Sequence, residues 1–253
     1  MSPETQSVTP SAIAGRMVLL DALRALALVG MVIFHFVFDL QLFGLVPQGT
    51  VGTWGWTNFA RLVAGSFICL AGVSLVIAHG NAIQWHSFAR RLAKIVLAAL
   101  AVSAVTYAMM PGQFVYFGIL HAIATFSVIG LGFLRGPLWL LVVCALLVVI
   151  APDLFRSDAF NAPGLWWLGL STQTAPSMDF EPLFPWFAAF LLGMILARAA
   201  EARGGLHGAQ RYMPGSQGML VGAFLWAGRN TLLLYLVHQP ILFTLIWAAT
   251  ALA

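Results

Sequence analysis

The first long apolar stretch, residues 19–40, reads LLDALRALALVGMVIFHFVFDL and contains four ionisable side chains, Asp21, Arg24, His35 and Asp39. On an α-helix that turns about 100° per residue, these side chains share an arc of about 60°. A charged group at membrane depth is costly unless it faces protein or water. We therefore expect the arc to line a polar cavity inside the protein.

The spacing of Arg24 and His35 indicates an extended ligand. The two residues are eleven positions apart, which is about 16 Å along a helix. A guanidinium group binds phosphate or carboxylate, and a neutral imidazole is suited to general base catalysis. The structural alternative is that Asp21 pairs with Arg24, and His35 with Asp39, only to hold helices together.

Two further histidines lie at membrane depth, His121 in YFGILHAIA and His238 in NTLLLYLVHQP. Tyr235 lies one turn before His238, and Pro240 predicts a kink because it cannot donate to the carbonyl one turn back. Together with His35, these residues favour a functional cavity. A packing kink without chemistry is the alternative interpretation for the residues near His238.

Two carboxylates come directly before the proline-initiated segment EPLFPWFAAFLLG. Asp179 and Glu181 are placed where a helix N-terminus favours negative charge, and this alone explains them unless Asp179 points inward. The connection at about 153–182 contains Trp166 and Trp167, and it suits either a binding loop or an interfacial anchor.

The composition predicts an all-α, polytopic membrane bundle. Of 253 residues, 61% are hydrophobic and 8% charged, and the apolar residues come in runs of membrane-spanning length. We expect a polar cytoplasmic N-terminal tail at 1–16, followed by one transmembrane domain at 17–253. The predicted spans, about seven in number, are 18–41, 59–79, 91–110, 115–134, 137–152, 183–200 and 229–250.

The basic residues indicate topology rather than nucleic-acid binding. With alternating spans, nearly all Lys and Arg residues near span ends fall on one side and Arg156 on the other, which predicts a cytoplasmic N-terminus. Residues 201–218 are then a cytoplasmic loop. Cys69 and Cys144 lie in apolar runs, so neither a disulfide framework nor a thiolate metal site is expected. The histidines show no metal-ligand spacing either.

Five segments carry a resemblance to a known family. They are LDALRALALVGMVIFHFVFDL, SFICLAGVSL, YFGILHAIA, DFEPLFPWFAAFLLG and GRNTLLLYLVHQPIL. In this order they resemble bacterial members of the family that shares the catalytic membrane domain of heparan-α-glucosaminide N-acetyltransferase, within the transmembrane acyltransferase superfamily. Ala25 stands where the family usually has Gly. The spacing of Arg24 and His35 is also similar to the arginine-to-histidine motif of membrane O-acyltransferases.

The resemblance implies transfer of an acetyl or other acyl group from cytoplasmic acyl-CoA to a hydroxyl or amine on the outer side. The implied acceptor is a glycan, a lipid-linked sugar or a similar molecule. The implied catalytic residues are His35 as general base, Asp39 to orient it, His121 and His238. The implied phosphate-binding residues are Arg24, Arg90 and Arg91, and the implied substrate-binding residues are Asp179 and Tyr235.

Two other functions fit the residues. Buried His and Asp side chains also suit a proton-coupled transporter of a small polar solute, and a compact chain suits a non-catalytic membrane scaffold. The resemblance implies a bacterial inner membrane, with lipids as neighbours. The apolar spans are equally compatible with a monomer and a homodimer.

Overall fold

The computed structural model describes residues 10–203 and 218–252. Within these ranges the chain forms eight α-helices, and an isolated parallel bridge joins Phe117 to Phe180. The helices are α1 (Pro10–Leu42), α2 (Trp54–His79), α3 (Trp85–Met109), α4 (Ile119–Leu131), α5 (Leu138–Phe155), α6 (Leu183–Ala202), α7 (Met219–Arg229) and α8 (Thr231–Ala251). The all-α prediction is confirmed.

Six helices are long and apolar enough to cross a membrane: Val18–Leu42 of α1, and the whole of α2, α3, α5, α6 and α8. Each coincides with a predicted span. The remaining predicted span, 115–134, contains the shorter helix α4, and α7 is also too short by this criterion. The chain is therefore an integral membrane protein. Its span number and its cytoplasmic N-terminus remain predictions.

Helix α4 is preceded by a non-helical segment that α3 holds in place. The 13 residues of α4 rise about 20 Å, less than the roughly 30 Å of a hydrocarbon core. Before it, Thr106 Oγ1 accepts from the Val115 N–H at 3.0 Å, and Ser103 Oγ donates to the Val115 carbonyl at 2.6 Å. Non-helical backbone at membrane depth requires such partners. These two hydrogen bonds hold the segment before α4 against the last turns of α3.

Helices α2 and α6 meet backbone to backbone. A Cβ added to Gly72 would lie 2.1 Å from the Phe190 carbonyl oxygen, and one added to Gly193 would lie 2.0 Å from that of Cys69. Phe190 is fully buried beside this crossing. The two glycines therefore permit a helix approach that no larger residue allows, and this crossing is the centre of the bundle.

A third glycine brings α7 against α1. A Cβ on Gly228 would lie 1.8 Å from the carbonyl oxygen of Asp21. Helix α8 starts two residues after α7 ends, contains Pro240 and continues to Ala251. The contact at Gly228 thus places the first turns of α8 beside the polar arc of α1.

The segment between α5 and α6 folds over the connection that leads into α4. In this segment, Asn161 Oδ1 accepts from the Thr172 N–H at 3.0 Å, and the Asn161 backbone carbonyl accepts from Trp166 Nε1 at 2.9 Å. The rings of Trp166 and Tyr116 lie 5.3 Å apart, and those of Trp167 and Phe117 lie 6.1 Å apart. These contacts fix the loop that carries the two acidic residues before α6.

Two predicted segments fall partly outside the described residues. Positions 10–16 of the predicted polar tail form the start of α1, whereas 1–9 lie outside the description. The predicted cytoplasmic loop at 201–218 includes 204–217, which also lie outside it.

Candidate active site

The polar arc of α1 faces the interior of the bundle, as its spacing predicts. Asp21 is 2% exposed and Asp39 is 0% exposed. Arg24 and His35, on the same face, are partly buried. Since α1 exposes leucine and valine side chains on its opposite face, the ionisable groups lie on the face that the protein keeps away from lipid.

Asp21 holds two guanidinium groups. Its Oδ1 accepts from Arg24 Nη1 at 3.1 Å, and its Oδ2 accepts from Arg229 Nε at 2.9 Å. Arg24 Nη2 also donates to Ser74 Oγ on α2 at 2.6 Å. The predicted pairing of Asp21 with Arg24 is therefore present, and Arg229 and Ser74 extend it to two further helices.

These groups border a cavity of about 320 Å³ between α1, α2, α3, α4, α7 and α8. Its polar lining comprises Arg24, Ser74, Arg91, Lys94, Arg229, Thr231 and Tyr235. Four cationic side chains thus surround the cavity, and the carboxylate paired with two of them is Asp21. Lys94 and Arg229 are exposed, which places the open mouth at the end that the sequence predicts to be cytoplasmic.

The residues predicted to bind phosphate separate in the structure. Arg24 and Arg91 line the cavity, whereas Arg90 is exposed and is not part of the lining. Sequence reasoning missed Lys94, although its position three residues after Arg91 indicates the same helix face. It also missed the role of Arg229, because only the fold brings the end of α7 beside α1.

Two of the predicted catalytic histidines lie together further into the bundle. The ring centroids of His35 and His238 are 5.0 Å apart. His238 Nδ1 lies 2.7 Å from the Tyr235 carbonyl oxygen. A carbonyl only accepts, so Nδ1 carries the proton and Nε2 of the neutral ring is left as an acceptor. Since Tyr235 lines the cavity, this histidine pair lies one helical turn beyond the cavity wall.

Asp39 contacts a different partner from the one predicted. Its Oδ1 accepts from Gln239 Nε2 at 2.7 Å, and no hydrogen bond among the described residues joins it to His35. Residues four apart on a helix are neighbours, so Gln239 of α8 takes a place that His35 could also reach. The role of Asp39 in orienting His35 stays a prediction.

His121 lies apart from the histidine pair. Its Nε2 is 3.3 Å from Ser103 Oγ, and its Nδ1 accepts from the Gly118 N–H at 3.3 Å. No described contact joins it to His35 or His238. The ring instead links the first turn of α4 to α3.

Asp179 points inward, at the N-terminus of α4. Its Oδ2 accepts from the Ile119 N–H at 2.9 Å, and the absence of a side chain at Gly118 makes room for it. Burial raises the pKa of Asp179 to about 6. Burial, with the nearby Asp179 charge, raises the pKa of Glu181 to about 9, although Arg61 opposes this change. Glu181 is therefore protonated at neutral pH.

Tyr235 connects the cavity to the histidine pair. Its side chain lines the basic cavity, and its carbonyl oxygen accepts from His238. A ligand that reaches from the mouth of the cavity to Tyr235 is therefore one helical turn from His238.

The fold and the site define a helical membrane protein with a basic cavity whose lining includes Tyr235, one helical turn from a pair of imidazoles. The family model for the catalytic domain of heparan-alpha-glucosaminide N-acetyltransferase matches residues 16–240. The chain belongs to this family, as its motifs suggest, and the family makes it a membrane acyltransferase. Among curated proteins and among solved structures, nothing matches the chain.

Proposed function

We propose that this protein transfers an acetyl group, or another acyl group, from acyl-CoA to an amine or hydroxyl acceptor. The observation that supports the proposal best is the cavity whose mouth is cationic and whose inner end is Tyr235, one turn from the His35–His238 pair. The proposal includes donor entry from the cytoplasm, an acceptor on the outer side such as a glycan or lipid-linked sugar, and a bacterial inner membrane.

The mouth suits the phosphates of coenzyme A. Asp21 fixes Arg24 and Arg229 in place, so their remaining N–H groups are ordered before a phosphate arrives. Arg91 and Lys94 add charge that no described ion pair neutralises. Charge-assisted hydrogen bonds to phosphate are among the stronger ones in proteins. The nucleotide can therefore remain at the mouth while the narrow pantetheine arm extends inward.

The cavity also has apolar walls, which α2, α3 and α4 contribute. From Arg24 at the mouth, the thioester must extend about 16 Å along α1 to reach the level of His35. Apolar walls suit the pantetheine arm and exclude water from the thioester.

At the inner end the histidine pair supplies the base. The oxygen or nitrogen atom of the acceptor attacks the thioester carbonyl carbon, and an unprotonated imidazole nitrogen removes the proton from that acceptor atom. The tetrahedral intermediate then collapses, the C–S bond breaks, and the coenzyme A thiolate leaves and takes a proton from the imidazolium. The hydrogen bond at His238 Nδ1 already sets the required tautomer.

The donor site is tested by binding of acetyl-CoA to the purified protein in detergent, measured by calorimetry. Arg91→Gln removes a charge that lines the cavity, and Arg90→Gln removes its exposed neighbour. We expect Arg91→Gln to weaken binding about 10- to 100-fold, as the loss of a charged hydrogen bond predicts, and Arg90→Gln to bind like wild type. No binding to the folded wild type would overturn the proposal.

The base is tested by transfer of radiolabelled acetyl groups in membranes that supply the native acceptor. We expect His35→Gln or His238→Gln to lower the rate about 10²- to 10⁴-fold, whereas His86→Gln, at an exposed position of α3, leaves it unchanged. Wild-type rates in both variants of the pair would refute a histidine base.

The buried Asp39, with one oxygen lacking a described partner, is also suited to a proton-coupled transporter. Sealed vesicles distinguish the two functions. A transporter moves an intact solute across the membrane when a proton gradient drives it, without acetyl-CoA. The acyltransferase consumes acetyl-CoA and modifies the acceptor.

A further inference from the structure

We propose that Asp39, His238 and Gln239 form the subsite that binds the acyl acceptor, and that this subsite selects a group carrying several N–H or O–H donors. Primary ammonium groups and sugar hydroxyls share this chemistry. The inference rests on the proposed acyl transfer. It places the acceptor at the end of the histidine pair that is further from the cationic donor cavity.

The main evidence is a set of buried acceptor atoms without donors. Among the described residues, Asp39 Oδ2, His238 Nε2 and Gln239 Oε1 are buried and have no hydrogen-bond partner. Asp39 is the most enclosed of the three residues, with 0% exposure. A buried acceptor left unpaired costs about 1–3 kcal/mol, so three in adjoining residues indicate a place where a ligand provides the missing donors.

The hydrogen bonds around these atoms explain why each presents an acceptor. Gln239 directs its amide nitrogen to Asp39 Oδ1, because a carboxylate cannot donate, and this leaves the amide oxygen free. His238 uses its N–H on the Tyr235 carbonyl, which leaves Nε2 free. Both donor nitrogens in the group, Gln239 Nε2 and His238 Nδ1, therefore already have a protein partner, whereas the three buried atoms without a partner are acceptors.

The subsite lies where an acceptor must lie to react. The His35 ring is 5.0 Å from the His238 ring, so a group held by His238 is next to both imidazoles. Beyond the subsite, Phe43 directly follows the end of α1, and its ring lies 5.1 Å from that of Phe243 on α8.

The arrangement also explains which ligands are excluded. A carboxylate, phosphate or sulfate group brings only acceptors and would face a carboxylate at close range, which is unfavourable. The donor cavity has the opposite character, since cations line it. The two ends of the site therefore discriminate by charge, with the anionic donor at Arg24 and Arg91 and a donor-rich acceptor at Asp39.

Two matched sugars test the subsite: glucosamine offers an ammonium group where glucose offers a hydroxyl. Thermal unfolding of the purified protein is measured with each sugar, for wild type, Asp39→Asn and Gln239→Leu. Asp39→Asn keeps the side-chain shape, so it remains informative if Gln239→Leu fails to fold. Gln173→Leu, at an exposed glutamine of the loop before α6, is the control.

We expect at least one sugar to raise the unfolding temperature of wild type and of Gln173→Leu. In Asp39→Asn we expect about tenfold more sugar to be needed for the same shift, as the loss of one charged hydrogen bond predicts. Acetyl-CoA affinity should stay at the wild-type value, which a general structural defect would not allow. Where a sugar serves as acceptor, its KM should rise while the KM for acetyl-CoA does not.

The inference fails if neither sugar shifts wild type, or if Asp39→Asn and Gln239→Leu respond like wild type. Failure of the proposed function has a different signature, because acetyl-CoA itself then does not bind the wild-type protein. A response to glucosamine alone would assign an amine acceptor, and a response to both sugars would assign hydroxyl recognition.

Discussion

Substitution of Gly228 tests whether the contact between α7 and α1 builds the mouth of the cavity. The Cβ of Gly228→Ala would lie 1.8 Å from the Asp21 carbonyl oxygen, 2.5 Å from its carbonyl carbon and 2.9 Å from its Cα. All three atoms belong to the backbone of a helix, so no side-chain rotation relieves the clash. Helix α7 must move away from α1.

The cost follows from the size of that movement. Overpacking by a single carbon typically costs about 1–3 kcal/mol, and the 2.9 Å hydrogen bond between Arg229 Nε and Asp21 Oδ2 lies next to the clash. For a chain of this length each kcal/mol lowers the unfolding temperature by about 2–4 °C. Gly222 provides the control on the same helix, since a Cβ there meets nothing within 4 Å and alanine favours helix by about 1 kcal/mol.

The assay is thermal unfolding in detergent followed by tryptophan fluorescence, together with acetyl-CoA binding. We expect Gly228→Ala to unfold at a lower temperature and to bind acetyl-CoA more weakly. Gly222→Ala should be as stable as wild type or more stable, with unchanged binding. If Gly228→Ala matches Gly222→Ala in both measurements, the close approach of α7 and α1 is wrong and so is the geometry of the mouth.

Two further substitutions have matched controls. Ser74→Ala removes the hydroxyl that accepts from Arg24, and it should weaken acetyl-CoA binding several-fold, since one hydrogen bond contributes about 1 kcal/mol. The Ser66 hydroxyl donates to its own helix, so Ser66→Ala should not weaken binding. Equal effects of the two substitutions would contradict the role of Ser74. The pKa of Glu181 is raised from 4.5 to about 9 in the folded protein, so folding stability falls as pH rises through that interval. Glu181→Gln should therefore flatten the dependence of unfolding temperature on pH, whereas the uncharged control Gln173→Leu should leave it unchanged. A wild-type slope in Glu181→Gln would be the contrary result.

Hydropathy and helical spacing predicted the parts of this protein that depend on neighbours along the chain. Apolar runs of about twenty residues located the long helices, and the 100° rotation per residue placed Asp21 and Arg24 on one inward face. The pairing of these two residues needs only a separation of three positions, so the sequence was sufficient to predict it.

The interactions that complete the site depend on the tertiary fold. Arg229 reaches Asp21 because Gly228 lets α7 approach, and Gln239 reaches Asp39 because α8 runs beside α1. Spacing alone favoured His35 as the partner of Asp39, since it cannot show a competing donor from another helix. The shortness of α4 was also missed, because the apolar residues that precede it belong to a non-helical segment held by α3.

The crossing of α2 and α6 at Gly72 and Gly193 separates a rigid part of the bundle from the part that carries most of the proposed site. With backbone against backbone, no layer of side chains is left that could change rotamer and let one helix slide past the other. We therefore expect α2 and α6 to behave as one rigid unit. Most residues proposed to contact the two substrates lie on α1, α7 and α8, outside this pair of helices.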